Sequence, residues 1–480
     1  MDNPLIYLKR RAGEDWLIGY DSDQFNLLTE ELFGQLTQLA KEKSHPKILL
    51  AEQNPLKFLA SFLAAVAAGC PIFLCNPQWG QQEWQQVFDL VQPDLILGHL
   101  SLGINKGQMT NDKGQIIMIP TGGSSGKIRF AIHTWETLTA SVRGFNRYFG
   151  EKPVNSFCVL PLYHVSGLMQ FLRSFITGGR LVILPYKTLK VGTEYYFNSG
   201  KYTDRERELN PKSIDPSQFF ISLVPTQLQF LLQTDPDWLS RFHTVLLGGA
   251  PAWRSLLDTA RKYHVRLAPT YGMTETASQI VTLKPDDFLN GNNSSGQVLP
   301  HAQVTIRSDT GELLETNQTG IITIKSDSLC LGYYPVNFAN KMDFQTDDLG
   351  FFDANGYLNI IGRCSQKIIT GGENVFPAEV EAAILATHLV TDVGVIGLPD
   401  RKWGQVVTAV YIPKQINISN QVIQAALENK LSKFKQPKYW IQVESLPRNQ
   451  QGKMNYEQLK EIAISRLDVI SSENHKNKQF

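Results

Sequence analysis

The chain has 480 residues, of which 42% are hydrophobic and 19% charged, and its formal net charge at pH 7 is +1. This length favours two or three domains, and the composition is typical of a compact soluble protein. The balanced charge argues against a nucleic-acid or acidic-surface partner at the level of the whole chain.

The five cysteines are scattered, without CxxC pairs or histidines at metal-ligand spacing. We therefore expect reduced thiols in a cytoplasmic compartment and no zinc site. Residues 1–7 lack a basic segment followed by an apolar block, so no signal peptide is predicted. The longest apolar stretch, residues 58–68, is much shorter than the roughly 20 residues of a membrane-spanning helix. We expect it to be a buried helix, with no stable membrane insertion.

Short apolar runs alternate with helical patterns through the first half of the chain. The predicted strands are residues 48–51, 71–75, 95–97, 157–160, 180–184, 219–224 and 244–247. The predicted helices are residues 56–68, 83–91, 134–149 and 252–263. Such alternation favours parallel sheets covered by helices. The polar residues 191–217 read as a surface excursion.

The second half of the chain shows two further patterns. Residues 298–362 have short β-rich runs and many turn signals, which indicate an antiparallel or barrel-like subdomain. After Arg363 the pattern restarts as a small α+β unit, so we place a domain boundary close to Ser365. Its predicted helices are residues 377–386 and 420–431, and its predicted strands are residues 393–398, 406–412 and 439–443.

The most informative segment is residues 120–129, which holds three glycines, two serines and a threonine between two apolar runs. Glycine permits close backbone approach, and hydroxyls, N–H groups and the cations Lys127 and Arg129 can together surround phosphate oxygens. The common P-loop differs, because Ile128 rather than Ser or Thr follows the lysine and the glycine spacing is one residue short. An ordinary turn between two strands is the alternative.

A second segment, residues 270–277, places Glu275 between Thr274 and Thr276. One carboxylate and two hydroxyls at adjacent positions suit Mg²⁺ and phosphate oxygens, and Tyr271 offers a ring for a purine. The alternative is a capping box at the start of a helix.

Two weaker segments follow. Residues 345–350 carry adjacent aspartates, and a carboxylate there can accept hydrogen bonds from both hydroxyls of a ribose, although a turn explains the same residues. Residues 368–381 hold paired glycines ahead of an amphipathic pattern, which by itself predicts only a loop before a helix.

Taken in chain order, these segments resemble the adenylate-forming superfamily of acyl-CoA synthetases, luciferases and peptide-synthetase adenylation domains, over nearly the whole chain. The resemblance implies an α/β fold. Its large N-terminal domain, residues 1–363, would contain two helix-covered, mostly parallel sheets and a small β-barrel-like subdomain. A small, mobile α+β C-terminal domain, residues 364–480, would follow.

The resemblance also implies ATP, Mg²⁺ and coenzyme A as bound molecules. Glu275 would be the magnesium ligand, Ser365 would lie at the interdomain hinge, and Lys453, at the end of the motif 446–453, would complete adenylation. The residues implied to contact nucleotide or CoA are Thr121, Gly122, Gly123, Ser124, Ser125, Gly126, Lys127, Arg129, Gly248, Gly249, Ala250, Tyr271, Gly272, Thr274, Asp348, Arg363, Gly371 and Gly372.

The chain also departs from the superfamily pattern. Ile128 and Arg129 replace a usual Pro-Lys pair, and Asp347 stands where a glycine commonly precedes the ribose carboxylate. Ser365 and its neighbour Gln366 replace an acidic pair at the hinge.

Two of the implied catalytic residues have alternative explanations. His164 is similar to a pocket-gating histidine, but a core histidine bonded to backbone is the alternative. Lys453 could equally be one of many solvated lysines, were it not for its Gly-Lys setting in the motif.

The choice of acid rests on the predicted pocket. Residues 163–167 hold no carboxylate to pair with an amino-acid ammonium group, which argues against a peptide-synthetase module. Details of residues 161–168, 222–228, 246–250 and 271–281 resemble o-succinylbenzoate–CoA ligases, which serve menaquinone or phylloquinone synthesis.

That resemblance implies an acid–thiol ligase that makes 2-succinylbenzoyl-CoA. The second carboxylate of this substrate needs a cation or hydroxyls, for which Arg173, Ser222 and Thr226 are the candidates. The alternatives are a CoA ligase for another aromatic or medium-chain acid and a non-catalytic adenylate-binding protein. A homodimer stays open.

Overall fold

The structure, a computed structural model, describes residues 3–98, 116–122, 128–190, 213–338, 343–415, 418–428, 430–448 and 453–476. Its α-helices are α1 Pro4–Arg10, α2 Ser22–Glu42, α3 Pro55–Ala67, α4 Gln81–Val91, α5 Trp135–Tyr148, α6 Val165–Thr177, α7 Tyr186–Lys190, α8 Pro225–Thr234, α9 Pro236–Ser240, α10 Arg254–Lys262, α11 Pro285–Leu289, α12 Pro377–Leu385, α13 Asn420–Leu427 and α14 Tyr456–Lys476.

The strands of the large N-terminal part are β1 Leu17–Ile18, β2 Ile48–Ala51, β3 Ile72–Leu74, β4 Leu95–Gly98, β5 Ile116–Gly122, β6 Ile128–Thr134, β7 Asn155–Cys158, β8 Leu181–Ile183, β9 Phe219–Leu223, β10 Thr244–Leu247, β11 Leu267–Met273, β12 Ser278–Thr282, β13 Gln297–Val298, β14 Ala302–Arg307, β15 Gly320–Ser326, β16 Gly332–Tyr333, β17 Val336–Asn337, β18 Phe344–Phe352 and β19 Leu358–Arg363. The remaining strands are β20 Ile368–Thr370, β21 Glu373–Val375, β22 Val390–Asp400, β23 Gly404–Pro413 and β24 Tyr439–Gln442.

The first large sheet has seven strands in the order β17-β16-β6-β5-β3-β2-β4. Strands β2 to β5 pair in parallel, whereas β6, β16 and β17 add antiparallel neighbours at one side. Helix α3 is apolar almost all round and is buried along most of its length, which confirms the buried helix predicted for this stretch.

The second large sheet has eight strands in the order β1-β8-β7-β9-β10-β11-β12-β13, parallel from β1 to β11. Phe145 of α5 packs on one face against Phe220 and Leu246. Helices α8, α9 and α10 cover the other face, where Phe219 and Val245 point. The predicted pair of helix-covered, mostly parallel sheets is therefore confirmed.

The two remaining sheets are smaller and mostly antiparallel. Strands β14-β15-β18-β19 form an antiparallel sheet of four strands, which occupies the region predicted to be an antiparallel or barrel-like subdomain. The small C-terminal domain has a five-stranded sheet, β21-β20-β23-β22 with β24 beside β23, covered by α12, α13 and α14. Within the described ranges, no helix is both long and apolar enough to span a bilayer.

Candidate active site

A carboxylate, a phenol and a guanidinium meet where Tyr271 on β11 of the second large sheet contacts β18 of the four-stranded sheet, in which β19 is the neighbour of β18. The Tyr271 hydroxyl donates to Asp348 Oδ2 at 2.9 Å, and Arg363 Nε donates to Asp348 Oδ1 at 3.3 Å. Arg363 faces Asp348 because the two residues pair in the β18–β19 register. Burial and the neighbouring Asp348 raise the pKa of Tyr271 well above its ordinary value, so the phenol keeps its proton and donates.

Glu275 lies in a single 3-10 turn, Thr274–Thr276, directly after β11. The capping box predicted as an alternative is present, with Thr276 bonding back to Met273, but the turn ends at once and no α-helix follows. The Tyr333 hydroxyl donates to Glu275 Oε1 at 2.5 Å. The Arg129 guanidinium lies over the Tyr333 ring, 4.6 Å from its centre, which brings a cation of the glycine-rich segment beside this carboxylate.

His133 on β6 ties the same turn to the glycine-rich hairpin. Its Nε2 lies 2.8 Å from the carbonyl oxygen of Thr274, which can only accept, so Nε2 carries the proton. Its Nδ1 lies 3.0 Å from Thr137 Oγ1. Burial lowers the pKa of His133 to about 4, although the Thr274 bond opposes this, so the ring is neutral near pH 7.

Lys453 brings the C-terminal domain to these groups. Its partly buried position and the charge of Arg363 lower its pKa, while Glu275 and Asp348 act in the opposite direction. Burial, and then the charge of Lys453, lower the pKa of His164 to about 3. The ammonium therefore lies within electrostatic reach of four predicted site residues from three segments of the large domain.

The glycines near this cluster are placed by close packing. A Cβ at Gly248, just after β10, would lie 2.5 Å from Thr270 Oγ1 on the neighbouring strand. Gly249 has a φ of 82°, and a Cβ at Gly272 would collide with the Ser278 carbonyl. Gly249 is exposed, and Ala250 follows it in the same loop.

The glycine-rich segment joins two antiparallel strands, β5 and β6, with Thr121 opposite Arg129. Gly122 ends β5, and Thr121 is buried. The predicted phosphate contacts of Gly123, Ser124, Ser125, Gly126 and Lys127 lie outside the described residues.

Arg173, on α6, is 2% exposed and has no carboxylate partner among the described residues. Its Nη2 donates to Gln279 Oε1 at 2.8 Å and to Ser278 Oγ at 3.2 Å, and its guanidinium lies 4.0 Å from the centre of the Phe145 ring. Nε has no partner. Burial lowers the pKa of Arg173 to about 9.

The other two substrate candidates lie on the second large sheet and its outer helix. Ser222 is in β9 and Thr226 in the first turn of α8, and both are half-buried. No hydrogen bond within the described part of the chain joins either of them to Arg173.

At the predicted hinge, Asp347 and Ser365 contact each other directly. The Ser365 backbone N–H donates to Asp347 Oδ1 at 3.0 Å, and its hydroxyl donates to Oδ2. The aspartate at an unusual position and the serine at the hinge are therefore partners. Further on, Gly371 and Gly372 have φ values of 60° and 88° in the exposed β20–β21 turn, and the Gly371 N–H donates to the Trp403 carbonyl.

Sequence reasoning missed Tyr333 and His133, and also Trp403, whose backbone carbonyl accepts from Gly371. No local motif marks Tyr333 or His133, because their partners Glu275 and Thr274 are distant in sequence.

Two sequence models of known protein families match this chain, and several curated relatives are similar to it. The sequence model of the AMP-binding enzyme family matches residues 214–334, and that of the AMP-binding enzyme C-terminal domain matches residues 379–453. The 2-succinylbenzoate–CoA ligase of Listeria monocytogenes is 34% identical over 470 residues, covering 92% of this chain and 93% of the relative. That of Bacillus anthracis is 32% identical, covering 72% of this chain and 69% of the relative.

Solved structures of the Bacillus subtilis o-succinylbenzoate CoA synthetase share the fold. The complex with the acyl-adenylate intermediate OSB-AMP has a TM-score of 0.80 at 24% identity, covering 96% of this chain and 98% of that chain. The AMP complex has a TM-score of 0.78 at 25% identity, covering 95% of this chain and 98% of that chain. This chain belongs to the AMP-binding enzyme family.

Proposed function

We propose that this chain is an ATP-dependent acid:CoA ligase that converts 2-succinylbenzoate to 2-succinylbenzoyl-CoA in menaquinone or phylloquinone biosynthesis. The convergence of Lys453 with Glu275, Asp348 and His164 carries the proposal, since it gathers the groups that an acyl adenylation needs. The ligases of Listeria monocytogenes and Bacillus anthracis, which carry that activity in their names, support the choice of acid.

The first step joins the acid to AMP. A carboxylate oxygen attacks the α-phosphorus of ATP, a P–O bond forms, and the bond to the β-phosphate breaks to release pyrophosphate. Negative charge crowds at the reacting phosphate, and fixed cations lower the barrier without reorganising. Lys453 would neutralise both the incoming carboxylate and the α-phosphate, and Arg129 and Thr121, which face each other on β5 and β6, would contact the polyphosphate.

The ribose would be held by Asp348. Tyr271 and Arg363 each occupy one of its oxygens, and a carboxylate has about four lone-pair sites, so acceptors remain for both ribose hydroxyls. The purine would lie on the bare backbone of residues 248–250, against Tyr271.

Glu275 suits a magnesium ion, because it presents a carboxylate beside the Thr274 hydroxyl and Tyr333 fixes its orientation through a 2.5 Å hydrogen bond. A bound Mg²⁺ would supply charge neutralisation to the polyphosphate.

In the second step the thiolate sulfur of CoA attacks the acyl carbonyl, a C–S bond forms, and AMP leaves with the electron pair. We propose that residues 364–480 move as a unit relative to residues 1–363, with Ser365 as a hinge residue. This withdraws Lys453 and brings the exposed Gly371–Gly372 turn towards CoA.

Arg173 is proposed to bind the carboxylate that does not react. A buried guanidinium without a carboxylate partner bears a large desolvation cost, which a substrate anion would offset. Ser222 and Thr226 would add hydroxyl donors from the neighbouring sheet.

We further propose a reducing, cytoplasmic location, supported by five cysteines that are all free thiols. A homodimer stays a prediction, which sedimentation of the purified chain would test.

Pyrophosphate release over a panel of acids, with and without CoA, tests the proposed activity. We expect release with 2-succinylbenzoate in preference to other aromatic or medium-chain acids, and a thioester when CoA is added. Release without that preference would favour another acid as substrate. No release with any acid would favour a non-catalytic adenylate-binding protein.

The Lys453→Ala variant tests the assigned chemistry. Loss of the ammonium should slow adenylate formation by more than about 10²-fold while sparing thioester formation from supplied acyl-adenylate. Lys460→Ala is the matched control, since Lys460 is an exposed lysine of α14 in the same domain. Equal losses in both half-reactions would contradict the role given to Lys453.

A further inference from the structure

Lys453 directly follows residues 449–452, and the described residues on the two sides of that segment contact each other. Arg448 and Met454 form an isolated β-bridge, and the Asn455 N–H donates to the Pro447 carbonyl at 2.7 Å. These contacts bring together the two stems that flank residues 449–452. The position of the lysine backbone therefore depends on what holds the two stems.

A bidentate ion pair holds the first stem. Arg448 Nε donates to Asp392 Oδ2 and Nη2 donates to Asp392 Oδ1, each at 2.7 Å. Burial opposes the charge of Arg448, but the hydrogen bonds and charge of Asp392 outweigh it and raise the pKa of the guanidinium. Such a fork fixes orientation as well as distance. Asp392 belongs to β22, which pairs with β23 along its length.

A half-buried carboxyl group, that of Glu381, holds the second stem. Tyr456, the first residue of α14, donates its hydroxyl to Glu381 Oε1 at 3.3 Å. The same oxygen accepts the Val395 N–H at 2.9 Å, so the second stem is also tied to β22. Glu381 lies on α12, which packs on that strand.

We propose that Asp392 and Arg448, with Glu381 and Tyr456, form a clamp that positions Lys453 for adenylate formation. Both stems of the loop are anchored to one strand, three residues apart at Asp392 and Val395, so the lysine is fixed from both sides. The inference rests on the proposed catalytic role of Lys453.

The polar character of the clamp supports a positioning role over a purely stabilising one. The Asp392–Arg448 pair is only half-buried, and exposed or half-buried ion pairs add little to stability. A bidentate pair nevertheless fixes geometry, and misplacing a reacting group by 1 Å can cost about 10²-fold in rate. Tyr456 also lies within electrostatic reach of Arg363, which belongs to the nucleotide cluster. The clamp therefore lies next to the site it serves.

Glu381 adds a measurable pH signature. Burial raises its pKa to about 7, and the charge of Asp392 acts in the same direction. The Val395 N–H, the charge of Arg448 and the Tyr456 hydroxyl act against this. The charge of Glu381 inside the clamp therefore changes near pH 7.

Tyr456→Phe tests the clamp, with Tyr439→Phe as the control for removing a hydroxyl from the same domain. We expect Tyr456→Phe to lower the kcat of adenylate formation by about 10-fold and to change thioester formation from supplied acyl-adenylate by less than about 2-fold. Introduced into the Lys453→Ala variant, it should cause no further loss in single-turnover adenylation, because its effect acts through the lysine.

Glu381→Gln should remove the inflection near pH 7 from the pH–rate profile of adenylation. The Tyr439→Phe control should show the same inflection as the wild type. Equal losses in both half-reactions, a further loss in the Lys453→Ala background, or an unchanged inflection would overturn the clamp. Normal adenylation by the Lys453→Ala variant would instead overturn the proposed role of the lysine. This result is independent of every clamp variant, so the two failures can be told apart.

Discussion

Arg173→Met is the most discriminating change for the identity of the acid. Methionine keeps the unbranched stem and removes the charge, so the packing against Phe145 is largely retained. If Arg173 binds the carboxylate that does not react, the variant should lose 2-succinylbenzoate selectively and keep its activity with acids that lack this group.

The size of the effect follows from the burial of the guanidinium. Burial lowers the pKa of Arg173 to about 9 from an ordinary value of 12.5, which corresponds to about 5 kcal/mol of unfavourable desolvation at neutral pH. A substrate carboxylate offsets much of this cost in the complex, and breaking a buried pair costs about 3–5 kcal/mol. We therefore expect KM for 2-succinylbenzoate to rise by about 10²-fold or more.

Pyrophosphate release measures this for 2-succinylbenzoate and for 4-oxo-4-phenylbutanoate, which lacks the ring carboxylate. The variant should not lose activity with the second acid, because that acid leaves the guanidinium unpaired in the wild type. Arg254→Met, at a side chain that is 75% exposed, is the control. Equal losses with both acids, with the thermal midpoint unchanged, would refute the assignment of Arg173 to the second carboxylate.

Two further predictions concern Glu275, the proposed magnesium ligand, and the pH dependence of stability. Tyr333→Phe frees Glu275 from its 2.5 Å hydrogen bond and should raise the Mg²⁺ concentration for half-maximal adenylation by about 10-fold, as a magnesium titration would show; an unchanged titration would separate Tyr333 from metal binding. Burial raises the pKa of Glu381 from 4.5 to about 7, so the destabilisation caused by its ionisation is absent below pH 4.5, builds up between the two values and is complete above pH 7. The difference in the free energy of unfolding between Glu381→Gln and wild type, measured by urea unfolding of the full chain, should therefore increase by up to about 3 kcal/mol from pH 5 to pH 8. An equal difference at both pH values would contradict this.

Much of the fold follows from local patterns. Strands β2 and β10 coincide with the predicted runs, because each is short, apolar and buried on both faces of a parallel sheet. Helix α2 escaped prediction because most of its residues are polar and at least partly exposed, so no continuous apolar run marks it. Asp21, which accepts hydrogen bonds from Asp23 and Gln24, is the helix-start signal that could have found it.

The candidate site, like the fold, was only partly predictable from the sequence. Glycine, hydroxyl and acidic residues cluster in sequence, so Glu275 and Asp348 were identifiable from their segments. Tyr333, which donates to Glu275, and His133, which bonds to the Thr274 carbonyl, were not identifiable, because both come from segments distant in sequence from residues 270–277. Glu381 stayed unidentified for a similar reason, since its contact with Tyr456 joins residues 75 positions apart.

His133 gives the candidate nucleotide site one further property. Its imidazole would gain a second proton only near pH 4, so its bonds to Thr274 and Thr137 keep the same donors and acceptors in neutral and mildly acidic surroundings. The hydrogen bonds of His133 between the hairpin and the Glu275 turn therefore do not change with pH in this range. A response of this protein to pH near neutrality therefore has to come from other titratable groups.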